Sequence, residues 1–110
     1  MATAQMEQYL GEKAIRLVCG HYEAILLPEI GGNLVAFRDT KRQFRFIREP
    51  GADEMEAFKK RPMVHGIPVL FPPNRYEDGK FPWNGATYQL PVNEAKTGNH
   101  LHGFFYNVPW

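Results

Sequence analysis

His100-Leu101-His102 is the sharpest chemical motif in this sequence. Side chains alternate along a strand, so two histidines one residue apart can face the same side. Imidazole titrates near neutrality, which suits acid–base work by one of the pair. Two other readings stand beside that one. Thr97-Gly98-Asn99 precedes the motif and Gly103 follows it, so both histidines could be exposed loop residues. A two-histidine metal site would need a further His or carboxylate, and Gly103-Phe104-Phe105-Tyr106-Asn107 offers none nearby. That spacing departs from the cupin pattern, in which a carboxylate soon follows His-x-His.

The second motif is Asn74-Arg75-Tyr76-Glu77-Asp78-Gly79. It follows a stiff apolar segment, a common setting for polar recognition. Asn74 and Arg75 together supply donors and an acceptor for a polyhydroxylated ligand. The plainer alternative is a solvated loop with Arg75 paired to Glu77 or Asp78. Trp83, Trp110, Phe81 and Tyr88 form an aromatic reserve. Aromatic faces can stack on sugars, but packing is their commoner fate. Phe81 and Tyr88 are therefore expected in the core, and Trp83 is open to either role. Glu94, Glu77 and Asp78 are the nearest carboxylates, none paired with a histidine by spacing. His21 and His65 read as structural or exposed, and Cys19 as a small buried apolar residue. No phosphate-binding glycine loop or nucleophile elbow is present, and Gly31-Gly32 reads only as a turn.

The elements that must position these residues are short. Nine prolines and ten glycines punctuate the chain and nearly exclude long helices. Ile15, Leu17 and Cys19 alternate along one strand, Gly20-His21 turns, and residues 22–27 form a second, largely buried strand. Residues 33–38 and 43–48 read as two more, with Leu34 and Ala36 on one side of the first. Residues 53–60 break the alternation with helix formers, acids first and bases last, as the helix dipole favours. Met55 and Phe58 share an inward face there, and Pro62 stops the helix. Residues 67–73 are too proline-rich for a central strand and read as an extended, buried approach to the Asn74 loop. Asn84-Gly85 predicts a type I′ hairpin between residues 81–83 and 86–90. The fold class is all-β, an antiparallel β-sandwich with one short helix near 53–60.

At 110 residues the chain is long enough for one domain. Apolar residues make up 44%, enough to fill a core. Residues 1–50 hold seven basic and six acidic side chains, and residues 51–110 hold six of each. Neither half is a basic arm, which argues against nucleic-acid binding. No apolar stretch approaches a membrane span. Residues 1–11 carry no basic residue and no apolar stretch, so they do not read as a signal peptide. A single cysteine forbids an internal disulfide or a cysteine zinc cage. A cytoplasmic protein is the expectation. The run from Phe104 to Trp110 is strongly aromatic. Such residues either complete a small core or belong to the N-terminal piece of a larger sandwich, and the aromatic content favours the second.

Residues 66–110 resemble the aldose 1-epimerase (galactose mutarotase) family. The matching words are Gly66-Ile67-Pro68-Val69-Leu70-Phe71-Pro72 and Asn74-Arg75-Tyr76-Glu77-Asp78-Gly79-Lys80-Phe81. Asn84-Gly85, Tyr88-Gln89-Leu90, Asn93, Leu101-His102-Gly103 and Trp110 follow in order. Each word is weak alone, and their order and spacing carry the match. The resemblance implies the mutarotase-like supersandwich, of which residues 1–110 would be a single, incomplete domain. It also implies interconversion of the α and β anomers of free aldohexoses without a cofactor. It makes His102 the first of two active-site histidines. Arg75 becomes the substrate-binding arginine, with Asn74 beside it. Tyr76-Glu77-Asp78 departs from the smaller residues many members carry, and Gly103-Phe104 replaces the usual double glycine. The second histidine and the catalytic glutamate have no counterpart in these residues. The implied partner is an aldohexose, with no nucleic acid, membrane or metal. Exposed sheet edges leave self-association open. A non-catalytic sugar-binding sandwich module is the alternative.

Overall fold

A computed structural model describes residues 1–110. The chain divides into two compact units, residues 1–69 with 105–110, and residues 70–104. Both are built from antiparallel strands.

The first unit is a five-stranded meander in sequence order: β1 (Ala2–Tyr9), β2 (Glu12–Cys19), β3 (Tyr22–Leu27), β4 (Asn33–Asp39) and β5 (Phe44–Arg45). Tight turns at Leu10-Gly11 and Gly20-His21 join the first three strands. The expected hairpin of β2 and β3 is present. β1 has no sequence signal of its own, because residues 2–9 mix small and polar types on both faces. It forms by pairing along the whole of β2. The strand expected over 43–48 shrinks to Phe44–Arg45, after which the chain bends away with Phe46 N–H still donating to Phe37 O (2.9 Å).

The core lies on one face of this sheet. Ala14, Ile25, Leu27, Val35 and Ala36 pack there with Ile30 and with Met55 and Phe58 of α1 (Met55–Lys60). The helix is where residues 53–60 predict it, entered through a short 3-10 turn at Ala52–Glu54. Glu54 caps that turn by accepting the Gly51 N–H (3.1 Å). Its buried face is the expected Met55/Phe58 pair.

The choice of faces corrects three expectations. Ile15, Leu17 and Cys19 share a face, but it is opposite to the helix, and Leu17 and Cys19 are exposed. Cys19 is therefore not a buried apolar residue. Leu34 and Ala36 do not share a side. Ile25 pairs with Ala36 and Leu26 with Leu34, so Val35 is an extra, bulged residue. The bulge turns Val35 and Ala36 both inward, at 0% exposure each. Residues 67–73 are extended but not buried, with Ile67 and Phe71 exposed.

Further along β2, β3 and β4 the core gives way to ion pairs. Arg38 donates a two-pronged pair of hydrogen bonds to Glu49 (2.7 Å each) and one to Glu23 (2.8 Å), while Arg16 also binds Glu23. Both carboxylates are buried, so this network is satisfied as charge desolvation demands. His65 is structural. It is buried edge-on to Phe58, and its Nε2 meets Glu54 Oε2 at 3.0 Å. His21 lies half-exposed beside Asp39, 3.5 Å away.

The aromatic tail does not complete this core. Its backbone is tied to the turn before β4, with Gly31 N–H donating to Val108 O (2.8 Å) and Trp110 N–H to Pro28 O (2.9 Å). A Cβ on Gly31 would lie 2.4 Å from the Tyr106 carbonyl, so only glycine allows that approach. Phe104, Phe105, Val108 and Trp110 keep exposed side chains.

The second unit has two small ladders. β6 (Arg75–Tyr76) pairs with β9 (His100–Leu101), and β7 (Lys80–Trp83) pairs with β8 (Ala86–Gln89). The Asn84-Gly85 turn has two positive φ angles, 48° and 80°, as a type I′ hairpin requires. Phe81 and Tyr88 are not core residues. Tyr88 is exposed and stacks on Phe81 across the hairpin at 5.2 Å. Trp83 is exposed as well. No helix of the chain is long and apolar enough to cross a membrane.

Candidate active site

The β6–β9 ladder brings the two chemical motifs together. Arg75 sits opposite Leu101 and Tyr76 opposite His100. One step further out, His102 N–H donates to Asn74 O (3.2 Å). Asn74 and His102 therefore face each other at the end of the ladder, with Arg75 beside them. Both have positive φ, 68° and 66°. Asn tolerates that conformation better than most residues, and a histidine held there is worth notice. The chain can turn sharply after His102 because Gly103 follows at φ 74°. A Cβ on Gly103 would come within 1.9 Å of Phe71 O, and Phe104 N–H donates to that same oxygen (3.0 Å).

The two histidines do not act as a pair. β9 ends at Leu101, so strand alternation does not extend to His102. His100 is fully buried between Tyr76 and Phe104, which removes the reading of two exposed loop histidines. Its Nδ1 lies 2.7 Å from Pro91 O. A carbonyl only accepts, so Nδ1 carries the proton and Nε2 is left as a buried acceptor without a hydrogen-bond partner. His102 is half-buried. Partial desolvation and then the nearby positive charge of Arg75 lower its pKa, while Glu94 pulls the other way. No three His, Cys, Asp or Glu side chains are gathered as metal ligands.

Arg75 is not paired with Glu77 or Asp78. It grips Glu94, 19 residues on, through Nε to Oε2 and Nη2 to Oε1, each at 3.0 Å. Glu94 is the residue that sequence reasoning left unassigned. It is held in a loop clipped to β9. Asn93 imitates a strand there, donating from Nδ2 to Leu101 O (2.9 Å) and accepting from Leu101 N–H at Oδ1 (2.7 Å). Glu94 N–H donates to Asn99 O (3.0 Å), and its carbonyl accepts from Thr97 and Gly98 N–H. The Thr97 hydroxyl closes on the Glu94 carboxylate. Arg75 and Thr97 together hold the Glu94 pKa down to about 2. No local spacing signals this contact, although Asn93 belongs to the family words.

The antiparallel, all-β architecture with one short helix is that of galactose mutarotase-like proteins. A galactose mutarotase-like protein from Clostridium acetobutylicum superimposes with a TM-score of 0.90 at 44% identity, covering 98% of this chain and 32% of that one. A galactose 1-epimerase from Lactobacillus acidophilus shares the fold at a TM-score of 0.61 and 17% identity, covering 93% of this chain and 30% of that one. Residues 13–110 match the family described as aldose 1-epimerase, and the chain belongs to it. It spans about a third of the length of these two relatives.

Proposed function

We propose that this chain carries part of the sugar site of an aldose 1-epimerase that interconverts the α and β anomers of free hexoses such as glucose or galactose. Residues 1–110 then form one incomplete mutarotase-like domain. What supports the reading is the end of the β6–β9 ladder, where His102, Asn74 and Arg75 meet.

Mutarotation opens a cyclic hemiacetal and closes it on the other face. A base takes the proton of the anomeric hydroxyl, and an acid protonates the ring oxygen as the C1–O5 bond breaks. The aldehyde rotates about C1–C2 and the steps reverse. No electron or group is transferred, so positioned acid and base groups suffice. His102 assists at the ring oxygen or a neighbouring hydroxyl. Its lowered pKa leaves it a neutral imidazole at pH 7, able to donate from one nitrogen and accept at the other. Arg75 and Asn74 hold sugar hydroxyls. By the family resemblance, the principal base and acid are a glutamate and a second histidine in the part of the relatives this chain does not span.

Polarimetry of freshly dissolved α-D-glucose and α-D-galactose tests the proposal, with a polypeptide extending these residues to the length of the relatives. His102→Ala should lower kcat by about a hundredfold or more, the scale of a lost acid–base group. Arg75→Ala should mainly raise KM, by about tenfold. A His102→Ala enzyme with the parent rate removes His102 from the chemistry. Saturable sugar binding without acceleration by the parent would make this a sugar-binding module.

A further inference from the structure

Arg75 presents five N–H groups in a rigid plane, and one edge of it is already occupied. Nε and Nη2, the edge that matches a carboxylate or a phosphate, both point at Glu94. The carboxylate is not a casual surface partner. Thr97 holds its side chain, and three backbone hydrogen bonds to Asn99, Thr97 and Gly98 hold its main chain. Its side chain is 22% exposed against 58% for Arg75, so the arginine is the member that faces solvent. What Arg75 can still offer a ligand is the end-on edge, the Nη1 hydrogens and the second Nη2 hydrogen, on a guanidinium whose charge Glu94 has neutralised. The surroundings add none. Residues 70–104 contain Arg75, Lys80 and Lys96 against Glu77, Asp78 and Glu94.

We propose that Glu94 is a specificity-determining residue. By filling the Nε/Nη2 edge of Arg75 and neutralising its charge, it leaves donors suited to uncharged hydroxyls and disfavours a phosphate. The inference rests on the sugar site proposed above and deepens it. Arg75 discriminates between a free aldose and its phosphate ester, and Glu94 sets which one is taken. A phosphate must either break a preorganised intramolecular pair or approach its end-on edge beside the Glu94 carboxylate, so exclusion is built from lost attraction and repulsion together.

Titration of the protein with inorganic phosphate at neutral pH tests this, read from the Arg75 Nε–H resonance. The wild type should show no saturable shift. Glu94→Gln keeps the size of the side chain and removes its charge, and should show one, with phosphate affinity raised about tenfold. Thr97→Val loosens the carboxylate without removing it and should move the same way by less. It serves alone if the glutamine variant does not fold. Polarimetry of the polypeptide extended to the length of the relatives adds the functional ratio. The preference for D-galactose over D-galactose 6-phosphate in kcat/KM should fall about tenfold in Glu94→Gln. Phosphate that shifts the wild-type resonance as readily as the variant's overturns the proposal. If the extended polypeptide accelerates neither sugar, the mutarotase reading fails, while the phosphate titration still decides the role of Glu94.

Discussion

The two units of this chain are stabilised by different means. In the unit of residues 1–69 and 105–110, a continuous sheet buries Ile25, Leu27, Val35 and Ala36 against Met55 and Phe58. In the unit of residues 70–104, the buried residues are Gly79, His100 and Gly103. No aliphatic side chain is among them. Its interior is a string of ring contacts, Tyr88–Phe81–Tyr76–His100–Phe104, with centroids 5.0 to 6.2 Å apart. Around it, side chains such as Asn93 and Gln89 satisfy backbone groups that longer strands would have paired. Asn74, Asp78, Asn84 and His102 adopt positive φ, as do four of its glycines. The first unit is held by buried area and the second by hydrogen-bond geometry. The candidate site lies wholly in the second, where position is exact in detail but cheap to disturb.

Substitutions can break or sharpen this contrast. The largest effect should come from the first unit. Phe58 is fully buried, so Phe58→Ala should cost about 3–5 kcal/mol of global stability, read by chemical denaturation. The amides of β2, β3 and β4 should report that loss. Gly103→Ala should be smaller in stability, about 1–3 kcal/mol, because it forces a side chain into positive φ and against Phe71 O. Its signature is local: hydrogen exchange should rise at His102 and Phe104 N–H while the amides of β2 and β3 stay protected. Equal loss of protection in both units would mean that they do not differ in how they are stabilised.

The smallest effect is electrostatic. His102 has a folded pKa below its unfolded value, so it contributes stability that is present above the unfolded pKa and lost as pH falls through the folded one. Glu94 also has a depressed pKa, so its contribution is present above about 4.5 and is lost as pH falls towards about 2. While His102 titrates, the Arg75–Glu94 pair stays ionised, because Glu94 protonates only at much lower pH. NMR titration should place His102 below 6.5. Arg75→Ala should raise that midpoint by removing a repelling charge, and Glu94→Gln should lower it further. An unchanged midpoint in both variants would separate His102 electrostatically from the pair.

How much of this was legible depends on the range of the interaction. The Asn84-Gly85 hairpin, the β2–β3 hairpin and the 53–60 helix were readable because a few adjacent residues fix each one. Residues 43–48 alternate as a strand should, yet only Phe44–Arg45 pairs. Alternation is necessary for a half-buried strand but does not supply a neighbour. The His100/His102 convergence failed for a similar reason. It assumed a strand through His102, and the backbone leaves the strand at that residue.

The sequence by itself determined the kinds of element, most of the turns, the family words and the residue types available for acid–base and hydroxyl recognition. It did so because periodicity, glycine, proline and helix formers act over a handful of neighbouring residues. The tertiary structure alone decided which face of the sheet is inside, since a period of two defines two faces and only the docking of α1 selects one. It alone inserted the Val35 bulge, buried His100 while leaving His102 at the rim, and joined Arg75 to Glu94. Those are contacts between residues far apart in sequence, chosen by packing and by the need to pair every buried polar group, and no local pattern encodes them.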